Sequence, residues 1–410
     1  MPKRILIHSL IFSPDGVSTA YLYDDIALKF KESSYEVIVL TTTPHYNVVE
    51  SQLSAQPLKW KIWGICKESC FQGIRVVHVP QKKFKNTFLR VLGFLYWHIV
   101  SFLVGLSLKN IGVILSPSPP LTIGVINLWL AKIKGCKTIY NVQEIYPDIL
   151  KRKDGFIISL LRKMERYVYN HSTAVTTIDQ VFYNTIVGRF KDKSKLHIIP
   201  NFVDTELYNP RKGNTKFLDA NLFPATTSLK LLYAGNIGFA QDWEPLIYLA
   251  EKTRGCPIEY FIIGEGVMKP LLEKRVCELG LGSIHILPYQ SRDLMPSILA
   301  YSDIQFIFMN PEMEMQGFPS KVYTIMACGK PLLVCSGKDT PIVNFLQEYN
   351  CAKLITEKDI AEKVGEMVNW LNEVSKDELV SLGRNGVNVI ERLYAKDVVT
   401  KQYVDLVKSL

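Results

Sequence analysis

The sequence predicts an α/β protein built as two doubly wound domains facing a cleft, and three observations carry that expectation. Short β-branched runs alternate with amphipathic stretches in both halves, a turn-rich segment interrupts the rhythm at 201–213, and glycine or polar turns follow several of the runs. The chain has 410 residues, enough for two separate cores.

First-half strands are expected at 4–8, 36–41, 74–79, 112–115, 138–141, 174–178 and 196–199, with amphipathic helices filling most gaps. Asn201-Phe-Val-Asp-Thr-Glu-Leu-Tyr-Asn-Pro-Arg-Lys-Gly213 then breaks the pattern with turn formers, as a linker does. Strands resume at 229–234, 258–263, 283–287, 304–309 and 331–335, and helices follow to Leu410. The expected division is 1–205, 206–390 and a helical piece, 391–410, packing back on the first domain.

The net charge of +9 is uneven. Residues 1–205 hold 26 Lys and Arg against 14 Asp and Glu, a net +12, and the remainder holds 22 against 25, a net −3. Basic and aromatic residues cluster at 81–90, and the following Val91 to Leu108 is nearly as apolar as a membrane-spanning helix. Two readings stand: a basic edge and apolar helix meeting a lipid surface, or the core helix of a large α/β domain. Nucleic acid is not expected, because the basic residues are not interleaved with stacking platforms in any known module. The eight cysteines show no paired metal spacing, which suits a reduced cytosolic protein. Met1-Pro-Lys-Arg runs straight into a strand, so no signal peptide is expected.

Ligands of open α/β sheets bind beyond the carboxyl ends of strands, which makes four turns candidate site elements. They are Phe12-Ser-Pro-Asp-Gly16-Val-Ser18-Thr19, Ala234-Gly-Asn236-Ile-Gly238, Gly264-Glu265-Gly266, and Gln316-Gly317-Phe-Pro319-Ser320-Lys321. In the last, Pro319 and Ser320 are expected to open a helix and Gly329 with Pro331 to close it. Its amino end offers N–H donors and Lys321 adds a full positive charge, a natural seat for a diphosphate. An ordinary βα turn with a solvated lysine is the plainer account of the same residues.

With these turns in order, the chain resembles the family 4 glycosyltransferases of the GT-B architecture over nearly its whole length. The matching pieces are Phe12 to Ala20, Asn141-Val-Gln-Glu-Ile-Tyr-Pro-Asp148, Ile198-Ile-Pro-Asn-Phe-Val-Asp-Thr-Glu206, Leu232 to Gly238, Ile263 to Gly266, and Pro319-Ser-Lys321 with Met326-Ala-Cys-Gly-Lys-Pro331. The nearest branch builds bacterial exopolysaccharide, capsule and O-antigen repeat units. The resemblance implies two Rossmann-like domains, the first for the acceptor and the second for a nucleotide-sugar donor, UDP-linked by expectation. It also implies retention at the anomeric carbon with no cofactor and no metal, Lys321 and helix amino ends neutralising the diphosphate. Gly16, with the backbone of Val17, Ser18 and Thr19, matches the loop where donor diphosphate and acceptor approach. Asn236 and Gly238 match the phosphate-side turn, and Gly264, Glu265, Gly266 and Tyr289 the nucleobase lining. Glu144 after Gln143 matches the acidic position near the acceptor, with a helix-capping carboxylate before Pro147 as the competing account.

Several positions depart from the family pattern. Two glutamates common in the C-terminal motif correspond to Gln316 and Thr324, and threonine grips ribose hydroxyls less well than a carboxylate. Basic residues common on the phosphate-side turn correspond to Asn236 and Gln241, and a histidine to Gln143. Lys321 is then the leading cation, while Glu312 and Glu314 fit a solvated loop better than a replacement role. The expected function is hexosyl or acetamidohexosyl transfer to a polyprenyl-diphosphate-linked acceptor at the inner face of the cytoplasmic membrane, by a peripheral protein. A sugar-nucleotide epimerase and a non-catalytic nucleotide-binding scaffold are the alternatives.

Overall fold

The computed structural model describes residues 4–61, 64–81, 86–150, 155–315 and 318–410. The chain divides into two units, 1–201 with 397–410, and 202–396. The divisions fall at 201 and 396 rather than at 205 and 390. Val203 pairs alongside Ala395, with its N–H on Tyr394 O at 3.0 Å and the Lys396 N–H on its own carbonyl at 2.9 Å, so both crossing segments leave the second unit together.

The first unit carries nine strands, β1 (Arg4–His8), β2 (Glu36–Thr42), β3 (Lys59–Lys61), β4 (Cys66–Phe71), β5 (Ile74–Val79), β6 (Val113–Pro117), β7 (Lys137–Val142), β8 (Ala174–Thr177) and β9 (Leu196–Ile198), in the order β3-β4-β5-β2-β1-β6-β7-β8-β9. Strands β5 through β9 run parallel, and β3 and β4 add an antiparallel edge. That edge was not expected: β3 is exposed throughout and β4 reads Cys-Lys-Glu-Ser-Cys-Phe, so neither shows a buried β-branched run.

Its helices are α1 (Ser18–Glu32), α2 (Glu50–Ala55), α3 (Thr87–Ser107), α4 (Leu121–Lys134), α5 (Phe156–His171) and α6 (Gln180–Ile186). Right-handed crossovers that all step the same way across the sheet place α3, α4 and α5 on one face. There Trp97, Val100 and Val104 of α3 pack with Leu6, Ile38, Val77 and Ile114 of the strands. Helix α3 is long and apolar enough to cross a membrane, yet this inward stripe is core, while Phe88, Val91, Leu95 and Leu103 are exposed.

The second unit is a six-stranded parallel sheet of β10 (Leu229–Ala234), β11 (Ile258–Ile263), β12 (Ile284–Leu287), β13 (Ile304–Phe308), β14 (Leu332–Cys335) and β15 (Ala352–Ile355), ordered β12-β11-β10-β13-β14-β15. Helices α7 (Glu244–Lys252), α8 (Lys269–Glu278), α9 (Met295–Tyr301), α10 (Lys321–Ala327), α11 (Pro341–Tyr349), α12 (Ile360–Glu373) and α13 (Lys376–Val389) cover it. The last helix, α14 (Lys396–Ser409), belongs to the first unit from Asp397 onward, where Asp397 pairs with Lys29 at 3.3 Å and Val399 and Tyr403 are buried.

Candidate functional site

In the second unit the strand order reverses between β10 and β13, which fixes the crevice at the carboxyl ends of those two strands. The loops 235–242 and 309–315 both emerge there. They are stitched together by Asp242 N–H on Phe308 O at 2.8 Å, Asn310 N–H on Ala240 O at 3.0 Å and a bridge between Gln241 and Met309. The glycine turn after β11 joins them. A Cβ at Gly264 would stand 1.9 Å from Gly235 O, and φ there is +148°, so only glycine lets the two backbones meet. Ile237 N–H donates to Glu265 O at 2.9 Å, and the Asn236 amide lies between Gly238 and Gly266. Tyr289 is exposed; its backbone N–H reaches the Glu265 carboxylate, which also pairs with Lys269 at 2.7 Å.

Lys321 reaches into this assembly. Its Nζ sits 3.7 Å from the centre of the Tyr233 ring and beside Gly235, where a Cβ would be 2.5 Å away. A cation over an aromatic face is attracted, but the niche is dry, and desolvation lowers the Lys321 pKa to about 7 with no neighbouring charge to offset it. The full charge expected of Lys321 is therefore weakened by burial, which favours the neutral amine until an anion arrives. Tyr233, whose hydroxyl donates to Asn236 O at 2.7 Å, escaped the sequence reading because it looks like any other strand residue.

Around α10 the expectations need further correction. Ser320 makes no side-chain cap bond, because its own backbone is already helical and its carbonyl takes the Tyr323 N–H at 3.2 Å. The Val322 N–H is spent on Pro319 O at 3.0 Å. A seven-residue helix also has a small dipole, so Lys321 rather than the helix end must supply most of the field. The Thr324 hydroxyl donates to Lys321 O at 2.8 Å, leaving it only as an acceptor. Gln316 and Gly317 lie outside the described residues. Glu314 is no solvated bystander: it accepts from Gly337 N–H at 2.7 Å and Ser336 Oγ at 2.9 Å, pinning the 309–315 loop.

In the first unit the order reverses between β1 and β6. The loop after β1 is clamped: Asp15 accepts from the N–H groups of His45 at 2.8 Å and Tyr46 at 2.7 Å, and Asp24 from Ser13 N–H at 3.1 Å. Gly16 lies so close to the 46–49 segment that a Cβ would fall 2.5 Å from Asn47 O. Ser18 and Thr19 open the 15-residue α1, whose Val17 N-cap offers no side-chain acceptor. Gln143 and Glu144 follow β7 and are held through the Ser118 hydroxyl, which accepts from Gln143 N–H at 3.0 Å and donates to Glu144 O at 2.9 Å. The Gln143 amide is committed to Asn141 at 2.7 Å and, reciprocally, to Asn201 at 3.0 Å, so it positions the loop. Glu144 caps no helix, since none begins beside it; it is half-buried, and desolvation alone raises its pKa. Among the described residues no group of three His, Cys, Asp or Glu side chains is placed to hold a metal ion.

No family model matches the chain. It is 22% identical to the colanic acid biosynthesis glycosyl transferase WcaI of Escherichia coli over 99% of this chain and 100% of that protein. It is 20% identical to the glycosyltransferase WbjE of Pseudomonas aeruginosa over 67% of this chain and 69% of that one. Among solved structures, Anabaena HepE in complex with UDP superposes with a TM-score of 0.73 at 14% identity, covering 99% of this chain and all of HepE. The relative matched along the whole length, WcaI, is named a glycosyl transferase, and the fold is that of the GT-B enzymes.

Proposed function

We propose that this chain is a retaining, metal-independent glycosyltransferase of bacterial surface polysaccharide biosynthesis. It moves a hexose or acetamidohexose from a UDP-sugar to a polyprenyl-diphosphate-linked saccharide at the inner face of the cytoplasmic membrane. The observation that carries this reading is the convergence of Lys321, the Asn236 turn and the Gly264 turn at one switch point. WcaI supports the polysaccharide context, WbjE the transferase reading, and the UDP held by HepE the donor class.

In this reading the bond from the anomeric carbon to the β-phosphate oxygen breaks as the acceptor hydroxyl oxygen bonds that carbon on the same face. The hydroxyl proton passes to the departing diphosphate. Charge grows on the diphosphate as the bond breaks, so an ammonium fixed beside Gly235 stabilises the transition state more than the bound donor. Glu144, whose carboxyl pKa burial raises, is the acceptor-side group. Thr324, its hydroxyl donor already used, favours a second reading in which the chain binds nucleotide without turnover.

A panel of nucleotide sugars tested with a polyprenyl-diphosphate-saccharide fraction separates the two. Transfer of one labelled sugar with the α-linkage of its donor supports the proposal; tight UDP binding with no transfer from any donor selects the scaffold.

A further inference from the structure

The outer faces of α3 and α5 are apolar where they overhang the sheet. His98 Nε2 of α3 meets Thr122 Oγ1 of α4 at 2.8 Å, and a Cβ on Gly124 of α4 would touch Val168 of α5 at 2.7 Å. Thr122 and Gly124 lie in the first turn of α4, which begins at the carboxyl ends of the strands. About ten residues of each neighbouring helix therefore project beyond that level, roughly 15 Å at 1.5 Å per residue. Both projecting ends expose large apolar side chains: Phe88 at 69% and Val91 at 60% with Leu95 on α3, and Phe156 at 85% and Ile157 at 68% with Leu160 on α5. They flank the edge that carries Gln143 and Glu144.

Charge selects the occupant. No acidic residue occurs from 86 to 110, and the chain entering α3 reads Lys82-Lys-Phe-Lys85, while that entering α5 reads Lys151-Arg-Lys-Asp154, a net +2. Arg90 lies between the exposed Leu89 and Val91 on α3, and Arg162, Lys163 and Arg166 are exposed on α5, where Lys163 and Arg166 line a hollow with Arg189 and Lys191. Apolar helix ends in a sequence context with excess cations match the boundary between acyl chains and anionic headgroups. We infer that the amino-terminal ends of α3 and α5 form a two-point dock that inserts into an anionic lipid surface, holding the acceptor edge of the first sheet against it. The inference deepens the transferase reading and rests on it only for what the lipid carries.

The test is flotation of the purified full chain, without nucleotide, on vesicles of phosphatidylglycerol mixed with phosphatidylcholine and on phosphatidylcholine alone. Wild type should float with the anionic vesicles and be released by salt. Val91→Glu with Leu95→Glu, or Phe156→Glu with Ile157→Glu, should each lower binding about 10-fold or more, with unchanged circular dichroism. Phe217→Glu, at an exposed site in the second unit, should leave it unaltered. Failure of wild type to float, or flotation of both pair variants at the wild-type level, overturns the dock. Wild-type self-association abolished by the same variants, with no vesicle binding, overturns it in favour of a contact between copies. UDP binding measured separately keeps the transferase reading apart: its loss with flotation intact leaves the dock standing.

Discussion

The two units reach a similar switch-point geometry by different means. The first, with 28 Lys and Arg against 15 Asp and Glu, a net +13, holds its loops through side chains such as Asp15, Asp24 and Ser118. The second, with 20 against 24, a net −4, brings backbone onto backbone at glycines, with Lys321 Nζ beside Gly235 and Lys269 Nζ on Gly264 O at 3.2 Å. Side-chain clamps tolerate substitution one bond at a time, whereas glycine contacts fail by collision. A basic unit with an apolar overhang suits a surface partner; a near-neutral unit with a dry cation suits a small anion.

The sharpest way to break this comparison is Gly264→Ala. A Cβ 1.9 Å from Gly235 O, at a positive φ, should cost at least about 3 kcal/mol in denaturant unfolding and abolish UDP binding. Lys321→Ala should lower transfer about 10²-fold, near 2.7 kcal/mol, with little loss of fold; an unchanged rate removes Lys321 from the site. Asp15→Ala removes the acceptor of two part-buried amides and should cost about 1 kcal/mol, read as a lower unfolding midpoint, while UDP affinity measured by calorimetry holds.

A smaller effect concerns pH. With the free Lys321 pKa near 7, a bound diphosphate restores the ammonium and raises that value. Binding then takes up a proton above pH 7, so affinity should be highest below 7 and fall up to about tenfold per unit as pH rises. Calorimetry in buffers of different ionisation enthalpy reads the uptake, and Lys321→Ala should erase it. Smallest of all, Ser320→Ala should shift stability by less than about 0.5 kcal/mol, because the hydroxyl makes no cap bond. A drop of 1 kcal/mol would show that Ser320 does cap.

Much of this architecture was legible in the sequence because parallel strands buried on both faces read as unbroken β-branched runs. Strands β3, β4 and β15 were not, being short or polar at sheet edges where no such run is required. The glycine turns were legible as turns, but their meeting at Gly235 and Gly264 depends on strand order, which spacing does not encode. Lys321 was legible as a cation and not as one whose charge burial weakens, since its dryness comes from Tyr233 and Gly235, far away along the chain. Helix α3 resisted a single label for a related reason: one stripe serves the core and the other overhangs it.

That overhang has a consequence for search. Docked on a bilayer by α3 and α5 as we propose, the chain would share a plane with a lipid-borne acceptor, so encounter would become lateral diffusion in two dimensions at a high effective concentration. Weak recognition of a lipid-linked saccharide would then suffice, and selectivity could be left to the few side chains around Glu144.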